Sequence, residues 1–193
     1  MDTSIDTRTA IPSIATSAQT QNKFRLLSSE TLTATASWAL AGWAGFVFLS
    51  SLPYKFSNHP VTENIFTTIG SWISSTINEP LGVAFSNVGG VAVGSVELLT
   101  AMVLLLLPIL MWAYGAVVKR KMYPSRSAFH AVGGLLAAAV MSGAVFFHLY
   151  TPLGIQVVTD GVSDGGSLFR TAVSVLIAGV VLFGINAHSA LKR

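Results

Sequence analysis

Apolar residues along this chain occur in four long blocks separated by polar segments. The blocks cover about residues 33–52, 88–112, 128–150 and 168–187. Each is close to the roughly 20 residues that an α-helix needs to cross about 30 Å of hydrocarbon. In lipid such segments must be helical, because every backbone polar group needs a hydrogen-bond partner within its own segment. The pattern therefore predicts an all-α integral membrane protein built as a four-helix bundle.

The segments that flank the blocks predict the domain organisation. Residues 1–32 are polar and rich in Ser and Thr, which is typical of a flexible N-terminal tail, and the membrane domain is expected over residues 33–190. Because proline lacks a backbone N–H, Pro53 is expected to close the first span and Pro152 the third. A Gly- and Asp-rich turn precedes the fourth span.

The segment between the first two blocks, residues 53–87, is long for a connector. Within it Ile69 and Ile73 belong to a series of apolar residues at helical spacing, and Pro60 suits a first helical turn. This predicts an extra amphipathic helix in the first outer loop, lying in the membrane interface with Trp72 at headgroup level. The alternative is a lid that packs over the bundle without contacting lipid.

Composition narrows the classes of protein further. Hydrophobic residues make up 52% of the chain and charged residues only 10%, with a mean hydropathy of +0.65. A soluble domain has about 25% charged residues, so a water-soluble fold is excluded. Cysteine is absent, which excludes disulfides, thiol redox relays, iron–sulfur clusters and cysteine zinc sites.

The basic residues predict how the spans are oriented. Nine of the eleven Lys and Arg residues lie on one side, namely before the first span, between the second and third, and at the C-terminus. The positive-inside rule then places both termini in the cytoplasm of a bacterium, with the protein in its inner (cytoplasmic) membrane. This clustering explains the basic pI without nucleic acid as a partner. Lys55 and Arg170 remain on the outer side.

Glu97 is the first candidate for chemistry. It lies nine residues into the second predicted span, where a carboxylate costs about 2.5–3.5 kcal/mol on insertion scales unless it is paired or protonated. Gly90 and Gly94 share its helix face and form a GxxxG pair, so Glu97 is expected to point into the bundle. It is either a ligand or proton site, or a buried hydrogen bond that fastens two helices.

Three further ionisable residues are candidates for ligand binding. His148 lies near the outer end of the third span, Lys55 follows Tyr54 at the outer end of the first, and Arg170 is one turn into the fourth. Alternatively, His148 is an interfacial hydrogen-bonding residue, and Lys55 and Arg170 extend to the lipid headgroups. Their convergence near one leaflet favours a site. No histidine spacing resembles a metal-binding pair, so no metal site is predicted.

Short motifs in a fixed order resemble the DoxX-like family of small four-span bacterial membrane proteins. The matching segments are Ser51–Phe56, Gly94–Leu99, Ser142–Leu149 and Asp164–Phe169, within about residues 35–190. The resemblance implies a four-span fold. Some members of that family belong to quinone-linked oxidoreductase systems or to oxidative-stress defence. It supports Lys55, Glu97 and His148 as candidates without assigning them catalytic roles.

Two functions of different classes are consistent with these observations. The first is a redox-associated membrane subunit that binds a quinone-like or lipid-like molecule in the outer half of the bundle, beside an aromatic wall of Phe146, Phe147 and Tyr54. Without a covalently bound cofactor, its electrons would come from a redox partner protein. The alternative is a non-enzymatic scaffold or small-solute transport module, which would work as a homo-oligomer. On its own the chain is not expected to be an enzyme.

Overall fold

The computed structural model describes the backbone of residues 12–120 and 123–191, with side chains for residues 30–120 and 123–189. This part of the chain is almost entirely helical. Its elements, in chain order, are α1 (Pro12–Phe56), α2 (Pro60–Thr76), α3 (Glu79–Ala101), a π-helical turn (Met102–Leu106), α4 (Leu107–Val118), α5 (Arg126–Tyr150), β1 (Val158–Thr159), β2 (Val162–Ser163) and α6 (Ser167–Leu191).

Four helical segments are long and apolar enough to cross a membrane, which confirms the predicted number of spans. Within the described residues they are Glu30–Phe56, Glu79–Val118, Arg126–Tyr150 and Ser167–Ser189. Large apolar side chains stay exposed along them, as at Trp112 and Val117, which are 75% and 79% exposed. Extended apolar surface of this kind is compatible with an integral membrane protein, whose outer surface contacts lipid.

The first apolar helix extends beyond the proline that was expected to close it. α1 continues to Phe56 with Pro53 inside it, because the Ser57 N–H donates to the Pro53 carbonyl at 3.1 Å and resumes helical bonding. Proline cannot donate a backbone hydrogen bond, but its own carbonyl can still accept one. Lys55 therefore lies one helical turn after Ser51, on the same face of α1.

The second apolar helix begins nine residues earlier than the apolar block predicts. It starts at Glu79, where the Asn78 side chain accepts the Leu81 N–H at 3.1 Å and Pro80 occupies the first turn. Both are standard helix-start features. Glu97 is thus 18 residues into its helix, which is about 27 Å at 1.5 Å per residue.

The N-terminal part of the chain differs from the prediction. The chain divides into two compact units, and the boundary lies between Ala36 and Ser37. In the first unit the structure describes residues 12–36 as helix, where the sequence predicts a flexible tail as far as residue 32. No proline or glycine occurs between Pro12 and Gly42 to interrupt a helix once begun. The first eleven residues of the predicted tail lie outside the described part.

In the second unit, glycines allow two pairs of helices to pack closely. α5 packs against α6, and a Cβ added to Gly179 would lie 2.7 Å from the Gly134 carbonyl oxygen. α2 packs against α3, where Gly70 and Gly82 face each other in the same way. Small residues mark the faces at which helices in lipid approach each other.

Two apolar clusters form the core of this unit. The larger one joins α1, α5, α6 and the π-helical turn through residues such as Phe48, Leu104, Met141 and Leu182. The smaller one joins α2 to the segment after α5, and consists of Ile69, Ile73, Leu153 and Val157. Burial of these isoleucines ties α2 to the rest of the unit.

The predicted turn before the fourth span contains a short β-hairpin. β1 and β2 are antiparallel, and the two residues between them, Asp160 and Gly161, have φ of 53° and 78°. Positive φ at both central positions, with an Asp-Gly sequence, defines the tight turn that suits the twist of two strands. The sequence indicated the turn but not the paired strands.

Asp164 organises the start of α6. Its carboxylate accepts the backbone N–H groups of Val157, Gly166 and Leu168 at 2.8–2.9 Å. Burial raises the pKa of this carboxyl, but these N–H donors outweigh burial and hold the pKa below its ordinary value. The ionised side chain is therefore the form that caps the helix.

Candidate ligand site

A buried ion pair joins the end of α1 to the C-terminal part of α3. The Lys55 Nζ lies 2.7 Å from the Glu97 Oε2, and the two side chains are 16% and 4% exposed. Glu97 is therefore buried, as its small-residue face predicts. The alternative for Lys55 was that its side chain extends to the lipid headgroups. Instead, its ammonium compensates the charge of Glu97.

Ser51 completes this ion pair. Its Oγ accepts from the Lys55 Nζ at 2.9 Å, and its own proton can go to the Glu97 Oε2 at 2.8 Å or to the Phe48 carbonyl at 2.7 Å. The sequence analysis did not single out Ser51. Its position four residues before Lys55 in a continuous helix is the signal that would have found it.

The close approach of α1 and α3 depends on Gly94, one turn before Glu97. A Cβ at this position would lie 3.3 Å from the Lys55 Cβ and 3.2 Å from the Phe56 ring. Both distances are tighter than ordinary van der Waals contact, so a larger residue would push the end of α1 away. Gly94 thus allows the Lys55 ammonium to lie beside the Glu97 carboxylate, whereas Gly90, the other member of the GxxxG pair, faces Thr62 and Phe66 of α2.

The ion pair retains unused hydrogen-bonding capacity. Within residues 30–120 and 123–189, hydrogen bonds to Glu97 reach only its Oε2, which leaves Oε1 as a second acceptor. Lys55 has three N–H donors and uses two of them, toward Ser51 and Glu97. One donor and one acceptor therefore remain for another molecule.

His148 has a defined tautomer when it is neutral. Its side chain is buried, and its Nδ1 lies 2.7 Å from the Gly154 carbonyl oxygen. A carbonyl can only accept, so Nδ1 carries the proton and Nε2 presents a lone pair. Edge-to-face contact with the Phe169 ring, at 5.6 Å between centroids, further fixes the orientation of the imidazole.

The ion pair and His148 line the same cavity, whose volume is about 710 Å³. Most of its lining is apolar, and Phe66, Phe85 and Phe147 form a connected aromatic wall with centroid distances of 5.5 Å. Cavities of roughly 300–1,000 Å³ with such a lining are typical of small-molecule sites. The side chains that bring polar atoms to this cavity are those of Ser50, Ser51, Tyr54, Lys55, Thr62, Glu97, His148 and Thr171.

The structure brings four of the five predicted ligand-binding residues together and separates the fifth. Tyr54, Lys55, Glu97 and His148 all line the cavity. Arg170 does not: it is exposed at the start of α6, where its guanidinium donates to the Gly165 carbonyl at 2.9 Å. The long Arg side chain folds back to a nearby backbone acceptor, and so it supports the turn before α6.

The structure confirms two of the three residues predicted for the aromatic wall and excludes the third. Tyr54 and Phe147 line the cavity, whereas Phe146 is 45% exposed and stacks on Tyr150 with centroids 5.1 Å apart. Adjacent residues on a helix point about 100° apart, and Phe146 lies outside the face of α5 that lines the cavity, which includes Ala144, Phe147 and His148. Phe66 and Phe85, which the sequence analysis did not select, replace Phe146 in the wall.

A second polar cluster lies apart from the cavity. The Asn186 side chain donates to the Ser37 Oγ at 2.6 Å, and the Ser37 Oγ lies 2.9 Å from the His130 Nδ1. The cluster connects α1, α5 and α6, and its three side chains are almost fully buried. None of its three residues lines the cavity.

No family model matches the chain, and no curated protein or solved structure matches it. The resemblance to the DoxX-like family therefore remains a prediction from four short motifs. The function is argued from the cavity and from the residues that line it.

Proposed function

We propose that this protein is a multi-pass membrane protein that binds a quinone-like or lipid-like molecule in the cavity between α1, α2, α3, α5 and α6. One observation carries the proposal: a mostly apolar cavity of about 710 Å³ contains the Lys55–Glu97 ion pair and His148 in its wall. Small-molecule sites combine an apolar lining with a few polar groups that orient the ligand.

The energetics of the ion pair support a role in binding. Removing two charges from water costs free energy that their mutual attraction rarely exceeds, so a buried ion pair adds little to stability. Within a membrane such a pair is a functional candidate by default. Lys55 and Glu97 are also the residues whose remaining donor and acceptor are free to orient a ligand.

The arrangement in the membrane is part of this proposal. We place the four apolar helices across a bacterial inner membrane as a bundle, with both termini in the cytoplasm and α2 at the outer interface. Val61, Ile65 and Ile69 of α2 line the cavity, whereas Glu63 and Thr67 are exposed. A helix that covers the cavity and presents a polar face favours the lid interpretation of the first outer loop.

A redox association is the narrower form of the proposal, and the family resemblance is its support. A bound quinone would exchange electrons with a partner protein, since the residues that line the cavity include no redox cofactor. The alternative function, a scaffold or small-solute transport module, predicts no quinone or lipid bound in the cavity. Identification of the bound molecule therefore separates the two.

The test uses the cavity-lining Gly143 and a matched control. Nothing lies within 4 Å of a Cβ added to Gly143 or to Gly184, but only Gly143 lines the cavity. Gly143→Leu should therefore fold and fill the cavity, while Gly184→Leu should leave it open. Both proteins are purified beside wild type, their bound lipids are extracted for mass spectrometry, and thermal unfolding is recorded with and without a short-chain quinone.

Wild type and Gly184→Leu should carry the same extracted molecule and unfold at a higher temperature with added quinone. Gly143→Leu should lose both properties while remaining folded. If wild type carries no specific molecule and added quinone does not shift its unfolding temperature, the proposed ligand binding is excluded. That result would favour the alternative, a scaffold or small-solute transport module. If lipids bind but quinones do not, the redox association fails alone.

A further inference from the structure

The cavity wall contains two hydrogen-bond acceptors that no described side chain or backbone group satisfies. One is the His148 Nε2, which is the acceptor of the neutral imidazole because Nδ1 donates to Gly154. The other is the Glu97 Oε1, because both donors to this carboxylate go to Oε2. Protein atoms do not fully enclose either acceptor, so a ligand that covers one of them without supplying a donor incurs a desolvation cost, and a ligand that supplies a donor avoids it.

From this arrangement we infer that the cavity selects an apolar molecule whose polar end is a hydroxyl group, and specifically a phenol that donates its O–H to the His148 Nε2. This inference rests on the proposed function and narrows its ligand class. The rings of Phe66, Phe85 and Phe147 on the cavity wall can pack against the phenol ring, because aromatic rings favour edge-to-face or offset contact with each other.

Other polar end groups fit the wall less well. A ketone, an ether or an oxidised quinone presents only acceptors, which can bond to the remaining N–H of Lys55 but leave the His148 Nε2 unsatisfied. A protonated amine is a donor, but it would bring a second cation into the apolar cavity that already contains the Lys55 ammonium, at a large desolvation cost. A hydroxyl is neutral, donates one hydrogen bond and can also accept one.

The experiment compares three probes that share a nine-carbon chain on a benzene ring: 4-nonylphenol, its methyl ether 4-nonylanisole, and nonylbenzene. Binding to detergent-solubilised protein is measured by calorimetry for wild type and for His148→Asn. The Asn amide nitrogen lies as many bonds from Cα as Nδ1 does, so it can still donate to Gly154, but nothing replaces Nε2. His188→Asn, at an exposed position outside the cavity, is the matched control.

Wild type and His188→Asn should bind the phenol about tenfold or more tightly than the ether, because a site built around a hydrogen-bonded hydroxyl rejects analogues that lack it. In His148→Asn the preference should fall to near one, with little change in thermal unfolding. Comparing variants cancels the different partition of the probes into detergent.

Each other outcome contradicts a specific step. Equal binding of all three probes by wild type, abolished by Gly143→Leu, overturns hydroxyl selection and leaves the proposed cavity function standing. A phenol preference that persists in His148→Asn overturns the role of Nε2 and points to the Glu97 Oε1. If none of the probes binds wild type, the inference fails, and it fails together with the proposed ligand cavity only if quinones and extracted lipids are also absent.

Discussion

At the scale of single residues, Lys55 and Glu97 depend on each other. Each is buried enough that losing its partner leaves a charge poorly compensated. Breaking a buried ion pair by removing one partner costs about 3–5 kcal/mol in measured cases, whereas replacing both charges with apolar residues is often neutral. This asymmetry allows structural and ligand-binding roles to be separated experimentally.

Glu97→Leu should therefore lower the free energy of unfolding by about 3–5 kcal/mol, which is the cost measured when one partner of a buried ion pair is removed. The double variant Lys55→Met with Glu97→Leu should recover most of that loss. Glu97→Gln should cost less than Leu, because its amide oxygen still accepts from Lys55 and Ser51. All three should lose ligand binding. Denaturant unfolding in detergent and the quinone-induced shift in thermal unfolding measure the two properties separately.

Glu63→Gln is the control for this series, since Glu63 is an exposed carboxylate of α2 that does not line the cavity. It should change neither stability nor binding. A double variant as unstable as Glu97→Leu would mean that the pair itself holds α1 to α3. Normal ligand binding in Glu97→Gln would remove Glu97 from the site and leave it a structural role.

At the scale of elements, the long second apolar helix accommodates a proline without breaking. Pro108 has no N–H to donate to the Leu104 carbonyl four residues earlier. The chain adjusts through the π-helical turn, in which the Leu107 N–H donates to the Met102 carbonyl five residues back. The wider turn directs Leu104, which is fully buried, against Gly133 of α5. The irregularity thus contributes to packing between helices.

The contact between α5 and α6 gives a prediction about helix packing. A Cβ at Gly179 would lie 2.7 Å from both the Gly134 carbonyl oxygen and the Ala138 nitrogen, and backbone atoms cannot move aside as a side chain can. Gly179→Ala should therefore lower stability by about 1–3 kcal/mol, the usual cost of overpacking. Thermal unfolding in detergent measures the change.

Gly184→Ala, in the same helix, is the matched control because nothing lies within 4 Å of its added Cβ. It should raise stability slightly, by up to about 1 kcal/mol, since alanine favours helix more than glycine does. Equal effects of the two substitutions would show that helix propensity outweighs close packing at Gly179. That result would contradict the close approach of α5 and α6.

At the scale of the whole molecule, helix ends and charges support one orientation. Lys119 and Arg120 follow α4, and Arg126 begins α5. The opposite ends of the apolar helices adjoin Ser57, after α1, and Ser163, before α6. Under the positive-inside rule the first group is cytoplasmic and the second faces outward.

Cysteine labelling tests this topology on a chain that contains no cysteine of its own. A cysteine at Ser57 or Ser163, both exposed, should react in intact cells with a membrane-impermeant thiol reagent. A cysteine at Ser125 or at the C-terminus should react only after the cells are permeabilised. Labelling at Ser125 in intact cells would invert the topology and move the Lys55–Glu97 pair toward the cytoplasmic leaflet.

Periodicity and helix signals predict some site residues better than others. The GxxxG pair correctly indicated that Glu97 is buried, because small residues on one helix face report where another helix approaches. The same reasoning could not find Phe66 or Phe85, since aromatic residues at helical spacing look alike whether they fill a core or line a cavity. Arg170 was selected by its depth in a span, but its long side chain reaches a backbone carbonyl instead.

The sequence by itself determined the class of this protein: four apolar helices, few charges, and an uneven distribution of Lys and Arg. These follow from composition and from local hydrogen bonding, which each segment satisfies within itself. Only the tertiary structure decided that α1 continues through Pro53, that Lys55 contacts Glu97, and that the His148 Nδ1 donates to the Gly154 carbonyl. Those contacts join residues up to 42 positions apart, and they depend on how helices pack, which no local pattern encodes.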